Sequence, residues 1–312
     1  MNISINTEIK SDLADVSLFI CAVGFEERSI YHFKKLINEN KITKTDILCF
    51  SFNDFIDEIS VKNKDILREF GVELIDVSKN EKDEIIDEIK KRIESLRCNL
   101  DSLNIHIDYS SMPRNWYCNI FLSLINILGE NDKVFYWYSH GDYSSNLEHC
   151  STAGTDDITV FAGKASINPL KRSHIFGIGF DRIKTDAIRT ILDPSTLVIC
   201  YTYPEDKPDM NSHLVEEHKY LFDSAALSFS LPIEDYSFMV NRLTDIALDL
   251  KDSGDVILVP DGPKPLILAC SIIPILLKKE GIIAMHIQSH SNFKPENIKA
   301  TGKISGFSVT RN

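Results

Sequence analysis

Three short stretches carry residue types suited to receiving an anion or moving a proton. In Ile107-Asp108-Tyr109-Ser110-Ser111-Met112-Pro113-Arg114, a carboxylate is followed by two hydroxyls and, six positions on, a guanidinium. With Asp108 at a strand end and Pro113 in a first helical turn, Ser110, Ser111, Arg114 and free backbone N–H groups gather at one helix start, which favours a phosphate. Asp261-Gly262-Pro263-Lys264 has the same order: a carboxylate, a glycine permitting close backbone approach, and a cation. Ser139-His140 and Ser289-His290 each follow an apolar run, making His140 and His290 candidates for acid, base or ligand contact. Asp108 and His140 are catalytic candidates only if the chain is an enzyme. Helix capping explains the first two stretches equally well, and a hydrogen-bonded surface histidine explains the third.

Other chemistries find less support. Ser110 or Ser111 with His140 and Asp108 contains the residue types of a hydrolytic triad, but no G-x-S-x-G elbow accompanies them. Neither the Walker loop nor the G-x-G-x-x-G fingerprint occurs. Histidines and cysteines lack metal-ligand spacing, so no metal is expected, and the sequence indicates no particular cofactor.

These stretches recur because the chain is written twice. Leu18–Ile37, an apolar run entering Gly24-Phe25-Glu26 and then a helical pattern, matches His174–Leu192 with Gly179-Phe180-Asp181, 155 positions later. Asp108 matches Asp261, Arg114 falls near Lys264, and Ser139-His140 matches Ser289-His290. The tails VFAGKASI at 160–167 and ATGKISGF at 300–307 also agree, each with a Gly-Lys pair that a β-turn explains without a ligand. The Gly-Phe-acid stretches could be capped helix starts or ligand loops. Glu26, Glu27 and Asp181 there oppose a simple polyanion pocket unless a cation or base-edge hydrogen bonds engage them.

Positioning these groups requires a layered α/β scaffold. Short Val/Ile/Leu/Phe runs alternate with helical periodicity, predicting parallel strands at 17–23, 46–52, 72–77, 103–109 and 133–139, then at 174–179, 196–202, 226–231, 255–260 and 282–288. The expected division is a first copy at 1–155, a linker at 156–172 and a second copy at 173–312, each copy ending in its own closing strand. Ligands of such sheets bind at the carboxyl ends of the strands.

Against 34 Lys and Arg stand 46 Asp and Glu, a net charge of -12, the wrong sign for extended nucleic-acid binding. The longest apolar stretch, 265–277, is too short to span a membrane and carries Pro274, so it reads as a buried helix. No secretory pattern opens the sequence, and its seven cysteines form no C-x-x-C pair; a cytoplasmic protein with reduced core thiols is expected.

At Gly262-Pro263-Lys264, Gly24-Phe25-Glu26 and Gly179-Phe180-Asp181, the pattern resembles the CRISPR-associated Rossmann fold family and its fused two-copy relatives, the SAVED domains of anti-phage signalling systems. The resemblance implies two tandem Rossmann-like α/β copies with mainly parallel sheets, related by a pseudo-two-fold axis. It also implies a ligand loop after each first strand, a small-residue loop ending in Lys after the fourth, and a cyclic oligonucleotide held by both copies. The first copy departs from it, with Ser110-Ser111-Met112-Pro113-Arg114 where Gly-Lys would stand. The expected function is therefore nucleotide binding, as a sensor or subunit of a prokaryotic anti-phage defence system with a partner protein. The ligand would be anionic and contacted by Gly24, Phe25, Glu26, Ser110, Ser111, Arg114, Gly179, Asp181, Asp261, Gly262, Lys264 and His290. The alternatives are an enzyme acting on a phosphate-containing substrate in a cleft between the copies, and a non-catalytic scaffold.

Overall fold

The structure, a computed structural model, describes residues 3–6, 16–42, 46–52, 57–78, 82–142, 157–167, 171–204, 210–288 and 297–311. It divides into two units, Met1–Tyr143 with Pro295–Asn312, and Ser144–Lys294.

In the first unit, β1 (Ile3–Asn6) precedes β2 (Leu18–Val23), α1 (Tyr31–Asn38), β3 (Asp46–Phe52), α2 (Glu58–Glu69), β4 (Leu74–Val77), α3 (Lys82–Arg97), β5 (Asn104–Asp108), α4 (Arg114–Ile127) and β6 (Lys133–Gly141). The second unit comprises β7 (Asp157–Lys164), β8 (Arg172–Gly177), α5 (Arg182–Leu192), β9 (Thr196–Tyr203), α6 (Met210–Glu217), α7 (Lys219–Ser224), β10 (Leu227–Pro232), α8 (Tyr236–Lys251), β11 (Asp255–Pro260), α9 (Lys264–Leu277) and β12 (Ile282–Gln288). The chain then returns to the first unit as β13 (Ala300–Arg311).

Both sheets have the same parallel core. Their orders are β1-β13-β6-β5-β2-β3-β4 and β10-β9-β8-β11-β12-β7, so the first strand of each copy, β2 or β8, lies centrally between the second and fourth. All ten predicted parallel strands form. Every residue of Leu18–Val23 is buried, as a parallel strand covered on both faces requires. On one face of the first sheet Phe19, Cys21 and Val23 pack with Phe33 and Leu36 of α1 and Leu67 of α2. In the second unit Phe176, Ile199 and Val259 pack with Ile188 of α5 and Leu221 of α7. The apolar stretch 265–277 lies within the helix α9, buried from Pro265 to Pro274. Cys21, Cys49, Cys118, Cys200 and Cys270 are buried and unbridged, whereas Cys98, at the end of α3, is unbridged but exposed and so is not a core thiol; Cys150 lies outside the described residues.

The closing strands depart from the sequence expectation. Residues 157–164, which fall within the linker expected at 156–172, form β7 and pair antiparallel with β12 of the second unit. Residues 300–311, the tail of the second copy, pair antiparallel with β6 of the first, and β1 lies along their other edge. Both ladders shift register, at Ala284/Met285 and between Ala300 and Ile304, and both strands carry a left-handed glycine, Gly163 at φ 90° and Gly302 at φ 93°. A Cβ on Gly163 would lie 2.0 Å from the Ile282 carbonyl oxygen. The Gly-Lys pairs are thus irregular positions within strands rather than turns before them.

Deleting 295–312 should expose the edge of β6 and remove the buried Phe307 and Val309 from the first unit. Hydrogen exchange should accelerate at 104–108 and 133–141 while 172–177 and 255–260 stay protected. Equal acceleration in both units would contradict this dependence.

Candidate functional site

In each unit the loops after the first and fourth parallel strands come together at the carboxyl edge, where the strand order reverses. A Cβ built on Gly24 would lie 3.9 Å from the Ser111 Cβ, in ordinary contact. On Gly179 it would lie 2.9 Å from the Asp261 carbonyl oxygen and 3.5 Å from the Gly262 Cα, an approach only glycine accommodates without displacement. Arg114 and Lys264 are the first residues of α4 and α9, and the N-caps, Pro113 and Pro263, have matching backbone angles and no side-chain cap bond. The predicted equivalence of these two cations is therefore structural. Pro113, expected in the first helical turn, instead precedes it as the N-cap, and Ser110 and Ser111 lie before that cap in the loop.

Each Gly-Phe-acid loop is tied to its sheet by a buried cation, and the ties differ. In the first unit Arg28, 2% exposed, donates from Nε to Glu26 Oε2 at 2.5 Å and from one terminal nitrogen to Tyr138 Oη at 2.8 Å and the Ser139 carbonyl at 3.3 Å. Its guanidinium also lies 5.3 Å from the Tyr138 ring centroid. Glu26 thus does not cap the helix start. The N–H groups of Glu27 and Arg28 instead donate to Asn297 Oδ1 at 2.9 Å and the Ile298 carbonyl at 3.2 Å, acceptors on the segment leading into β13. In the second unit Asp181 caps α5, accepting from Lys184 N–H at 3.0 Å, while the Lys184 ammonium forms a buried pair with Asp261. Removing one partner of such a pair costs about 3–5 kcal/mol because the other charge is stranded.

The matched aspartates have therefore diverged. Asp108, 2% exposed, accepts at Oδ1 from Ser110 N–H at 3.0 Å and Ser110 Oγ at 2.5 Å, and Ser110 Oγ accepts from Ser139 N–H at 2.7 Å. Ser110 is bonded directly to the carboxylate, whereas His140, 5% exposed, shares a 2.7 Å hydrogen bond from Nε2 with Ser305 Oγ on β13. The Ser110–Asp108 and His140–Ser305 bonds do not compose a serine–histidine–aspartate relay. His290 lies outside the described residues.

Two further residues escaped the sequence reading. Asn63 on α2, buried, donates from Nδ2 to the Gly24 carbonyl at 3.1 Å, the Glu26 carbonyl at 3.0 Å and Ser29 Oγ at 3.1 Å. His218, fully buried before α7, donates from Nε2 to the Gly179 carbonyl at 2.9 Å. They stand 155 positions apart, the separation of Gly24 and Gly179, and this common offset is the signal by which they could have been found. For Arg28 and Lys184 the signal was a cation two or three residues after each repeated acid.

No family model matches the chain, and no curated protein matches it. Among solved structures, it is similar to a type III CRISPR defence DNA nuclease activated by cyclic oligoadenylate. The identity is 9% and the TM-score 0.55, over 86% of this chain and 65% of that chain. The chain thus spans somewhat less than two thirds of that protein's length, and the likeness is one of fold. It is also aligned with the cytoplasmic domain of a prokaryotic cation chloride cotransporter at 8% identity, over 88% of this chain and 96% of that one, but the TM-score of 0.26 is too low to bear on the fold. Among the described residues no helix is long and apolar enough to cross a membrane, and no group of three or more His, Cys, Asp or Glu is placed to hold a metal ion.

Beneath the first site, His32 Nδ1 lies 4.0 Å from Asp108 Oδ2, and His106 Nδ1 accepts from Trp137 Nε1 at 3.1 Å. Burial pushes both histidines down to about 3, with His106 and Lys35 adding to the effect at His32. The folded state keeps them neutral while the unfolded state protonates near 6.5, so stability falls as pH drops from about 6.5 towards 3, at up to ~1.4 kcal/mol per pH unit for each group. The urea midpoint should decline between pH 7 and pH 5, and the double substitution His32→Leu, His106→Leu should flatten that decline. A midpoint independent of pH over this interval would refute the assignment.

Proposed function

We propose that this chain is a nucleotide-binding protein, a sensor or subunit of a prokaryotic anti-phage defence system, whose ligand is anionic and of the cyclic-oligonucleotide class. The observation that carries this reading is the duplicated construction of the carboxyl edge. Twice, a Gly-Phe-acid loop meets the loop after the fourth strand, and the helix that follows begins with a cation, Arg114 or Lys264. Helix-start donors and a cation together suit phosphate oxygens. Engagement of the nearby acids also supports it: Arg28 pairs with Glu26, and the Lys184 N–H at the start of α5 donates to Asp181. Similarity in fold to a nuclease activated by cyclic oligoadenylate agrees with the proposed ligand class.

Binding is favoured over catalysis because Asp108 and His140 are buried and already hydrogen-bonded to Ser110 and Ser305. The ligand-facing set proposed is Gly24, Phe25, Ser111 and Arg114 in the first unit and Gly179, Phe180, Gly262 and Lys264 in the second; Ser110, fully buried and bonded to Asp108 and to the Ser139 N–H, is not part of it. Asp108, Asp261, Glu26 and Asp181 shape the loops through their internal partners.

Calorimetric titration of the purified chain with cyclic oligoadenylates, with linear oligoadenylates and mononucleotides as comparators, tests the reading. At about 1.5–3 kcal/mol per charge-assisted hydrogen bond, Arg114→Ala and Lys264→Ala should each weaken binding roughly 10- to 100-fold. Their thermal midpoints should stay near that of the parent, because a cation at a helix start gains nothing from the dipole. Binding of none of these nucleotides, or unchanged affinity in both variants, would overturn the proposal.

A further inference from the structure

We propose that the first unit carries a subsite for one nucleotide of the ligand, with the Phe52 ring as the platform for its base and the Lys64 ammonium as a contact for its phosphate. The proposal deepens the function given above and rests on it for the ligand class. Phe52 ends β3, the neighbour of the central β2, so it stands at the carboxyl edge beside the Gly24 loop. Two phenylalanines of β3 meet the buried Trp116 of α4, and they meet it differently. Phe50, fully buried, approaches the indole edge-on, at 6.0 Å and 75°. Phe52 lies nearly parallel to it, at 4.8 Å and 20°, and is only half-buried. With one face covered by the indole, what the Phe52 ring leaves exposed belongs to its other face and its rim.

That rim borders the crevice between the two loops of the first unit. A Cβ built on Gly24 would lie 3.8 Å from Phe52 Cε2 and 3.9 Å from the Ser111 Cβ, so ring and serine flank one gap. Ser111 Oγ is buried and, among the described residues, has no hydrogen-bond partner, which leaves a donor for a ligand oxygen. Lys64 reaches the same strand end from α2. Its Nζ donates to the Phe52 carbonyl at 3.1 Å, and among the described residues no carboxylate pairs with it. An ammonium has three donors, of which that bond uses one. The adjacent Asn63 ties α2 to the Gly24 and Glu26 carbonyls, so the helix that carries the cation is fixed to the loop. An aromatic ring recognises the π-face of a base, and a cation at its border suits the phosphate of the same nucleotide. The second unit is built otherwise. Leu266 follows Lys264 as Trp116 follows Arg114, α9 contains no aromatic residue, and Leu266 Cδ2 would lie 3.0 Å and 2.9 Å from a Cβ on Gly177 and Gly262. The stacked ring pair is therefore a feature of the first copy, which reads base and phosphate where the second reads phosphate.

The test titrates the full chain with cyclic tetra-adenylate, AMP and adenosine, read by calorimetry and by saturation-transfer NMR to the adenine ring protons. Phe52→Leu should weaken all three probes about 10-fold and abolish the transfer, while Phe52→Tyr, which keeps the ring, should stay within about 3-fold of the parent. Lys64→Met should weaken AMP about 10-fold and leave adenosine unchanged. A purely structural role for Lys64 would lower AMP and adenosine together, and a purely structural role for Phe52 would leave the transfer to the adenine protons intact. Should Phe52→Leu not fold, Phe52→Met is judged by the same transfer. If the parent binds AMP but no cyclic oligoadenylate, the ligand class proposed above fails and the subsite stands. If cyclic tetra-adenylate binds the parent and both variants equally, the function stands and the subsite is overturned. Binding of neither AMP nor cyclic tetra-adenylate by the parent overturns both.

Discussion

The antiparallel ladder between β13 and β6 holds the first unit in its observed form. Phe307, fully buried, stacks on Tyr136 at 5.1 Å, and the register runs unbroken from Ile304 opposite Ser139 to Thr310 opposite Lys133. Because β13 is an interior strand, its loss would remove the seat of β1 and uncover one edge of a largely buried β6. The same segment contacts the candidate loop at several points: Asn297 and Ile298 hold Glu27 and Arg28, the Gly302 carbonyl accepts from Tyr31 Oη at 3.3 Å, and Ser305 holds His140. The first copy's site is thus assembled from both ends of the chain.

The two copies show how one scaffold tolerates different solutions to the same polar problem. A strand-ending aspartate buried beneath two loops must be compensated, since an isolated buried carboxylate is prohibitively costly. In the first unit it receives a backbone N–H and a serine hydroxyl, and the loop cation is left to bridge Glu26 and β6. In the second unit the aspartate takes the lysine ammonium directly. The first arrangement spreads the load over several hydrogen bonds and links three loops. The second concentrates it in one ion pair, whose desolvation cost is repaid only with both partners in place.

Aromatic packing differs in parallel with this. Tyr109, Tyr117, Tyr136, Tyr138 and Phe121 form adjoining ring contacts in the first unit, while Trp116 stacks on Phe52 at 4.8 Å. These rings lie behind the Asp108–Arg114 loop. Burial pushes the Tyr109, Tyr117 and Tyr136 hydroxyls well above their ordinary pKa, so the loop rests on uncharged rings. The second unit backs its loop with the aliphatic helix α9, whose Leu266 fits against Gly177 and Gly262.

The sequence by itself determined the elements and their internal correspondence. Runs such as Leu18–Val23 and Asp255–Pro260 are apolar on both faces and flanked by amphipathic helices, so local physics admits little but buried parallel strands, and repetition at about 155 positions marks the two copies. Cys21, Cys49, Cys200 and Cys270 were legible as core residues for the same reason. Tertiary structure alone decided which sheet each closing strand joins: the tails at 160–167 and 300–307 carry the same Gly-Lys pair, yet the first pairs with β12 and the second with β6. It also decided the roles of the polar residues. Glu-Glu-Arg-Ser at 26–29 reads as a capped helix start or a ligand loop, yet Arg28 is buried because Tyr138 and the Ser139 carbonyl, more than a hundred positions away, supply its partners. Asn63 and His218 sit in helical stretches where a polar residue signals exposure, and only the approach of a glycine carbonyl makes them interior donors. A residue's side-chain type fixes what it can donate or accept, while its partner is set by contacts distant in sequence.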